Sequence, residues 1–405
     1  MTGEGRTKMR QLTLPAAFYR GGTSNAIVFR QEDLPPDREL WTEIFIAAMG
    51  SPDPYGRQLN GMGGGISSLS KVCVVGPPSR PDADIDYTFA QVDVRERKVE
   101  YSTNCGNMSA AMGPFGVDEG YLKVEGDAAV VRIHNTNTQK IIESRFDMDD
   151  GMAAVDGEYE LPGVGGAGSA LRLDFMEPGG AITGELLPTG NTIDILETPS
   201  LGTVEVSIVD AAALCVLVEA KTVELNGDEL PKDLEANPGA LRHLQEVRGA
   251  AAIKLGFMES MEEALARATN RPSVGFVSLA QAATTLTGEG LAESDGDVTV
   301  RMISMGDPHR ALPGTCSTCL AIASQIEGTL VHRNTKPNEN GDVRLMHPSG
   351  ILHASASARR DGNGWFAEKT SLYRTQRRLF DGQVYISAAS VPKYRVYLER
   401  TEASK

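Results

Sequence analysis

Two short stretches of small residues hold the reactive groups that stand out in this chain. Asn104-Cys105-Gly106-Asn107 opens one, and Pro313-Gly314-Thr315-Cys316 opens the other. Each is expected to place unpaired backbone N–H groups at a helix N-terminus. Such an end attracts carboxylates and favours a thiolate. Two of them facing across a cleft would hold a polyanion with few Arg or Lys residues. A third stretch, LNGMGGGISSLSKVCVV, joins three roles. Its glycines, Gly65 among them, allow close backbone approach. Ser67 and Ser68 offer hydroxyls, and Lys71 opens an apolar strand. Desolvation there favours a neutral amine, the form a general base needs. The stretch is not a Walker A loop, because Ser70 rather than Gly precedes Lys71 and Val72 follows it. In FYRGGTSNAIVF, Arg20, Thr23 and Ser24 have the composition of an anion-binding turn. Each stretch also fits a plain structural reading: closely packed core helices, a loop ending in a surface Lys, a tight turn before a strand.

Metal chemistry is not expected. Cys316 and Cys319 have C-x-x-C spacing, but no second pair of that kind accompanies them, and the six His residues are scattered. His309 precedes the second stretch and is a candidate to line the cleft.

The elements that must position these groups are mostly strands. QLTLPAAFYR, SNAIVFR, SKVCVVG, IDYTFAQVDV and AVVRIHN carry β-branched or aromatic alternation bounded by turn residues. DRELWTEIFIAAMG, NPGALRHLQEVRGAAAIKLG and SMEEALARAT have helical spacing. The order of elements repeats. SNAIVFR to Gly50 reads strand, loop, helix, Gly, and AALCVLVEA to Gly256 reads the same way. SSLSKVCVVG then answers to RPSVGFVSLAQ, DADIDYTFAQV to SDGDVTVRMIS, and each half reaches a small-residue helix. The expected fold class is therefore α+β, with two similar domains at 11–192 and 193–405 after a flexible tail at 1–10, and a site between them.

Bulk properties bound the partners. The 405 residues exceed one ordinary domain, and a net charge of −15 disfavours nucleic acid and anionic membrane. Five cysteines, an odd number in a long chain, read as reduced cytoplasmic thiols. No signal-like or membrane-spanning apolar run is present in the sequence.

Residue by residue, YRGGTSNAIVF, GSPDPYGRQLNGMGGGISSLSKV, FAQV, NCGNMSAAMGPFGVDEG, LLPTGN and HPSG resemble the PrpF family, from about Leu14 to Leu398. The resemblance implies a diaminopimelate epimerase-like fold, in which each of two pseudo-symmetric domains wraps a sheet around a central helix. It implies a cofactor-independent isomerase of small anionic di- or tricarboxylates. Known kinds include 2-methylaconitate cis-trans isomerase, the first expectation here, 4-oxalomesaconate tautomerase, aconitate isomerase and methylitaconate isomerase. It also implies a link to propionate catabolism through the methylcitrate cycle. A different role, as accessory to an iron–sulfur methylcitrate dehydratase, follows from the same resemblance. A homodimer is the working expectation.

Aligning Cys105-Gly106-Asn107 with Pro313-Gly314-Thr315 puts Pro313 where a two-thiol epimerase has its second cysteine. Proline cannot carry a proton, so a symmetric racemase is disfavoured. The resemblance suggests Lys71 as the partner of Cys105. Asn104, Gly106, Asn107, Gly314 and Thr315 are then expected at the substrate carboxylates. DAAALCVLV lacks the Asn-Pro or Met-Pro expected near Ala213 and Leu214, which bears on the substrate.

Overall fold

The computed structural model describes residues 11–102, 104–267, 271–336, 342–362 and 364–403. The tail expected at 1–10 lies outside the described residues. Among the described residues, nineteen strands are linked by pairings into one continuous sheet, and few helices accompany them. The α+β expectation holds.

The repeat seen in the sequence is a repeat of strand pairings. In the first half, Ser24–Arg30 pairs in parallel with Lys71–Gly76, which pairs antiparallel with Ile85–Val92. That strand runs parallel to Ala128–Asn135, which turns back antiparallel to Lys140–Asp149. In the second half, Ala213–Glu219 pairs in parallel with Ser273–Leu279, which pairs antiparallel with Val298–Ser304. That strand again runs parallel to Asp342–His347, followed by antiparallel Gly350–Asp361. Each half thus makes the same sequence of turns and crossovers.

Each half wraps its strands around one buried helix, Gly106–Asp118 in the first and Gly314–Gln325 in the second. The first, GNMSAAMGPFGVD, contains three Gly and a Pro and has poor intrinsic helix propensity. It forms because it is buried, since tertiary packing supplies most helical stability. Every residue from Gly106 to Val117 is buried. Small side chains let strands close on it: a Cβ on Gly113 would lie 2.8 Å from the Ser144 side chain. Met108, Met112 and Phe115 fill the interior beside Cys319, Leu320 and Ile322 of the second helix, in one shared core. Burying a side chain such as Phe115 contributes about 1.5–3 kcal/mol.

An outer helix covers the back of each half. Glu39–Met49 ends at Gly50, whose φ of +77° suits the left-handed cap. Pro238–Lys254 begins with Pro at its first position, and Asn237 Oδ1 accepts from Ala240 N–H at 3.1 Å. The second buried helix ends at Gln325.

The halves are interlocked. The C-terminal strand Gln376–Ser387 pairs with Gln11–Gly21, and Leu171–Met176 pairs with Gly364–Arg374. The last helix, Pro392–Ala403, packs Tyr394 into the core around Glu39–Met49. The end of the chain therefore joins the first half's outer layer. Among the described residues, no helix is long and apolar enough to cross a membrane.

Candidate active site

The two buried helices point their N-termini at each other. A Cβ added to Gly106 would lie 2.8 Å from Gly314 C and Thr315 N, and one on Gly314 would lie 2.7 Å from Asn107 N. Only glycine lets the backbones meet there. Cys105 and Pro313 are the two N-cap residues, which supports the alignment that pairs them. Cys105 Sγ accepts from Met108 N–H at 3.5 Å, so the thiol caps its own helix. Pro313 offers no side-chain cap, which leaves the N–H groups of the second helix start available.

Around this junction lies a narrow cleft. About 50 Å³ is open at its centre, within about 620 Å³ of non-protein space counted out to the mouth. Ser24, Ser67, Lys71, Asn104, Cys105, Gly106, Asn107, His309, Gly314 and Thr315 line it, ten of the fourteen residues singled out from sequence. A larger hollow of about 670 Å³ lies elsewhere, beside Tyr55, Arg57, Leu59 and Arg97, and holds none of them.

Lys71 is 8% exposed, and its Nζ donates to Gln91 Oε1 at 2.6 Å. Its Nζ stands 5.1 Å from the Phe89 ring centroid. Among the described residues no carboxylate pairs with it, and neither Asp nor Glu lines the cleft. A basic side chain, two helix N-termini and no acid make a site for anions on an acidic protein. His309 Nδ1 accepts from Ala311 N–H at 3.1 Å, which puts the ring proton on Nε2. Burial, opposed by that bond and aided by Lys71, lowers its pKa to about 4. It is a neutral hydrogen-bond donor at pH 7. Asn104 is held by Asn135 Nδ2, which donates to its Oδ1 at 2.9 Å.

Four expected residues stand behind the cleft instead of in it. Arg20 Nη1 donates to the carbonyls of Gly22 and Thr375 at 3.1 and 2.9 Å, bracing the turn and not a ligand. Thr23 Oγ1 accepts from Asn107 Nδ2 at 3.0 Å, so it orients a lining residue. Gly65 packs its loop on itself: its φ is +78° and a Cβ would lie 2.2 Å from Gly56 O. Ser68 is half-buried in a short turn and does not reach the cleft.

Sequence reasoning also missed contributors. Arg374 is 1% exposed, and its Nε donates to Asn107 Oδ1 at 3.1 Å. Burial pulls its pKa down to about 10. Nothing around "SLYRTQ" marks it, because its partner is 267 residues away. The repeat could have found others. Ala26 pairs with Lys71 as Cys215 pairs with Ser273, so Ser273 is the second-half counterpart of Lys71. Val274 pairs with Ile303, which puts Ser273 level with Ser304, the counterpart of Gln91. Both serines line the cleft, and Ser304 Oγ lies 3.2 Å from Ser67 Oγ across it. Cys316, in the first turn of the second helix, also lines it, while Cys319 is buried with its Sγ donating to Val209 O at 3.4 Å. Phe89, Ile182, Ala212, Ala213 and Leu214 are its apolar lining.

The architecture that builds this cleft from two similar halves is shared with known proteins. The family model described as PrpF protein matches residues 11–387. The chain belongs to the PrpF family. It is 37% identical over 383 residues to the 3-methylitaconate isomerase of Eubacterium barkeri, covering 94% of this chain and 99% of the relative. It is 34% identical to the 2-methyl-aconitate isomerase of Cupriavidus necator, covering 94% and 98%. A 4-oxalomesaconate tautomerase of Pseudomonas putida is 32% identical, covering 93% and 97%. Among solved structures, a methylitaconate-delta-isomerase superposes with a TM-score of 0.77 at 36% identity, over 94% of this chain and 97% of that one. A hydroxyproline epimerase from Agrobacterium vitis, at 10% identity and a TM-score of 0.53 over 93% of each chain, shares the fold. With its relatives, this PrpF-family chain is an isomerase.

Proposed function

We propose that this protein moves a proton within an unsaturated polycarboxylate, with no cofactor, using Lys71 as the proton carrier. One observation carries the reading. Two helix N-termini, one of them uncapped by any side chain, meet a buried lysine in a cleft that no carboxylate lines. Such donors hold carboxylates in the ground state. They also stabilise the charge that spreads onto those carboxylates when a neighbouring C–H loses its proton.

The steps balance with the chain's own groups. Neutral Lys71 takes a proton from the carbon next to the double bond, and the electron pair delocalises as a dienolate. The N–H groups of Gly106, Asn107, Gly314 and Thr315 bear its charge. The Lys71 ammonium then returns a proton to either end of the allylic system. Return at the far end migrates the double bond. Rotation about the central bond before return gives the cis-trans isomer. Proton transfer of this kind contributes typically ~10²–10⁴-fold, and the oriented N–H groups supply further stabilisation. Cys105 shapes the helix end and contacts the substrate. A polycarboxylate enters by a slight parting of the two halves, because the centre of the cleft is only about 50 Å³.

The apolar lining residues Phe89, Ile182, Ala213 and Leu214 favour a substrate whose remaining substituent is a methyl group. 2-Methylaconitate, our first choice, and 3-methylitaconate both have one, and both are substrates named for similar chains. The test is proton NMR in deuterium oxide on purified protein with 2-methylaconitate, 3-methylitaconate, aconitate and oxalomesaconate. Isomerisation with deuterium gained at the allylic carbon of a methyl-bearing acid is expected. No exchange with any of the four would refute the proposed substrate class and the proton transfer drawn for it.

A further inference from the structure

Lys71 and Gln91 face each other across neighbouring strands, and the amide orientation of Gln91 is dictated by its surroundings. Its Nε2 donates to Ser70 O at 2.9 Å and to Ser67 O at 3.0 Å. Both amide hydrogens are therefore spent on main-chain carbonyls, and only Oε1 is left to face the lysine. A flipped amide would set oxygen against two carbonyls and N–H against the amine. Oε1 accepts from Lys71 in either protonation state, because a neutral amine still has N–H to donate. Once the amine is neutral, that bond directs its lone pair away from Gln91. Phe89, two residues along the same strand and so on the same face, bounds the amine on another side.

We propose that Gln91 is a positioning residue for Lys71, aiming the amine's lone pair into the cleft without placing a negative charge beside it. This rests on Lys71 being the proton carrier. The second half holds Ser273 and Ser304 at the matching register positions, and neither can form such a pair. Gln91 also ties the amine to the Ser67–Ser70 segment, which touches the other half through Ser67 and Ser304. Closure of the halves and placement of the amine are thereby linked through one amide.

The test uses full-length Gln91→Met, Gln91→Glu and Lys71→Ala proteins, with kcat and KM measured against pH on 2-methylaconitate and 3-methylitaconate. The ionisable groups near the amine are His309, Cys105 and Cys316 in the cleft wall and Cys73 on its own strand. All of them are kept. Gln91→Met is expected to lower kcat about 10- to 100-fold while KM changes about threefold or less, the signature of misplacement and not of lost binding. Gln91→Glu is expected to move the acid limb of the kcat profile upward by about one pH unit or more, since a carboxylate favours the ammonium. Wild-type kcat and an unmoved acid limb in the Gln91 variants, with Lys71→Ala inactive, would overturn the positioning role alone. Full rate in Lys71→Ala would overturn the base assignment and this proposal with it. Should Gln91→Met fail to fold, the profile of the near-isosteric Gln91→Glu decides.

Discussion

Replacing Gly314 by Ala tests whether the meeting of the two helix ends matters for catalysis. The new Cβ would lie 2.7 Å from Asn107 N and Gly106 C, about 0.7 Å short of the 3.4 Å at which ordinary contact begins. Both are backbone atoms, so no flexible side chain can give way. The helix ends must part by several tenths of an ångström. Overpacking of this kind costs about 1–3 kcal/mol, and the better helix propensity of Ala offsets up to ~1 kcal/mol of it. A net loss of roughly 0–2 kcal/mol follows, readable as a small drop in melting temperature. The catalytic loss is expected to be larger. Misplacing reactive groups by about 1 Å can cost ~10²-fold, so kcat should fall roughly 10- to 100-fold. Gly106→Ala meets the same wall from the other side, with its Cβ 2.8 Å from Gly314 C and Thr315 N. The double variant should be less damaging than the two effects combined, because both act on one contact. The assay is initial rate by ultraviolet absorbance, with thermal melting alongside. A Gly314→Ala protein with wild-type kcat/KM, or a fully additive pair, would refute the reasoning.

Lys71→Met, which keeps the chain's length and removes the amine, is expected to lower kcat by ~10²–10⁴-fold with little change in melting temperature; solvent-deuterium uptake checks it. Cys105→Ser keeps a capping side chain at the helix start, so stability should stay within about 1 kcal/mol and the rate loss should be smaller than for Lys71→Met. An equal loss would make the thiol a proton carrier. Acid stability should depend on His347, which is 2% exposed. Burial, reinforced by Arg301 and Arg374, holds its pKa near 3, against 6.5 for a free imidazole. Between those values the unfolded chain binds the extra proton, so stability falls as pH drops from about 6.5 toward 3, by up to ~1.4 kcal/mol per pH unit. In His347→Gln, chemical denaturation at several pH values should show a shallower slope in that window.

The first half was legible because its signals are local. SNAIVFR, SKVCVVG and IDYTFAQV alternate or run apolar, and Cys105-Gly106 opens a helix where small residues begin. The repeat then carried the same pattern into the second half despite poor residue identity. The long strands from Gly350 to Ser387 were less visible. ASASARR and RRLFDGQ are largely polar and mostly half-buried or exposed; the first is a strand through pairing with Gly364–Arg374, which itself pairs with Leu171–Met176, and the second through pairing with Gln11–Gly21 far away in sequence. The site followed the same rule. Lys71 and Cys105 could be picked by type, whereas Arg374 acquires its place only through a contact with Asn107. Arg20, Thr23 and Gly65 had the chemistry of ligand contacts, yet the fold uses it to brace a turn, orient Asn107 and close a loop on itself.

The unequal halves have a stereochemical consequence. Lysine and glutamine occur at two register positions of the first half, and serines occupy the same positions of the second. If Lys71 is the sole carrier, the proton leaves from one face of the flat dienolate and comes back to that face. The migration is then suprafacial, and the product's new stereocentre, where one forms, has a single handedness fixed by which half kept its amine. Part of an isotopic label placed on the departing hydrogen should travel with the substrate to its new carbon. A site with a carrier in each half would pass the proton between opposite faces and lose that label to water.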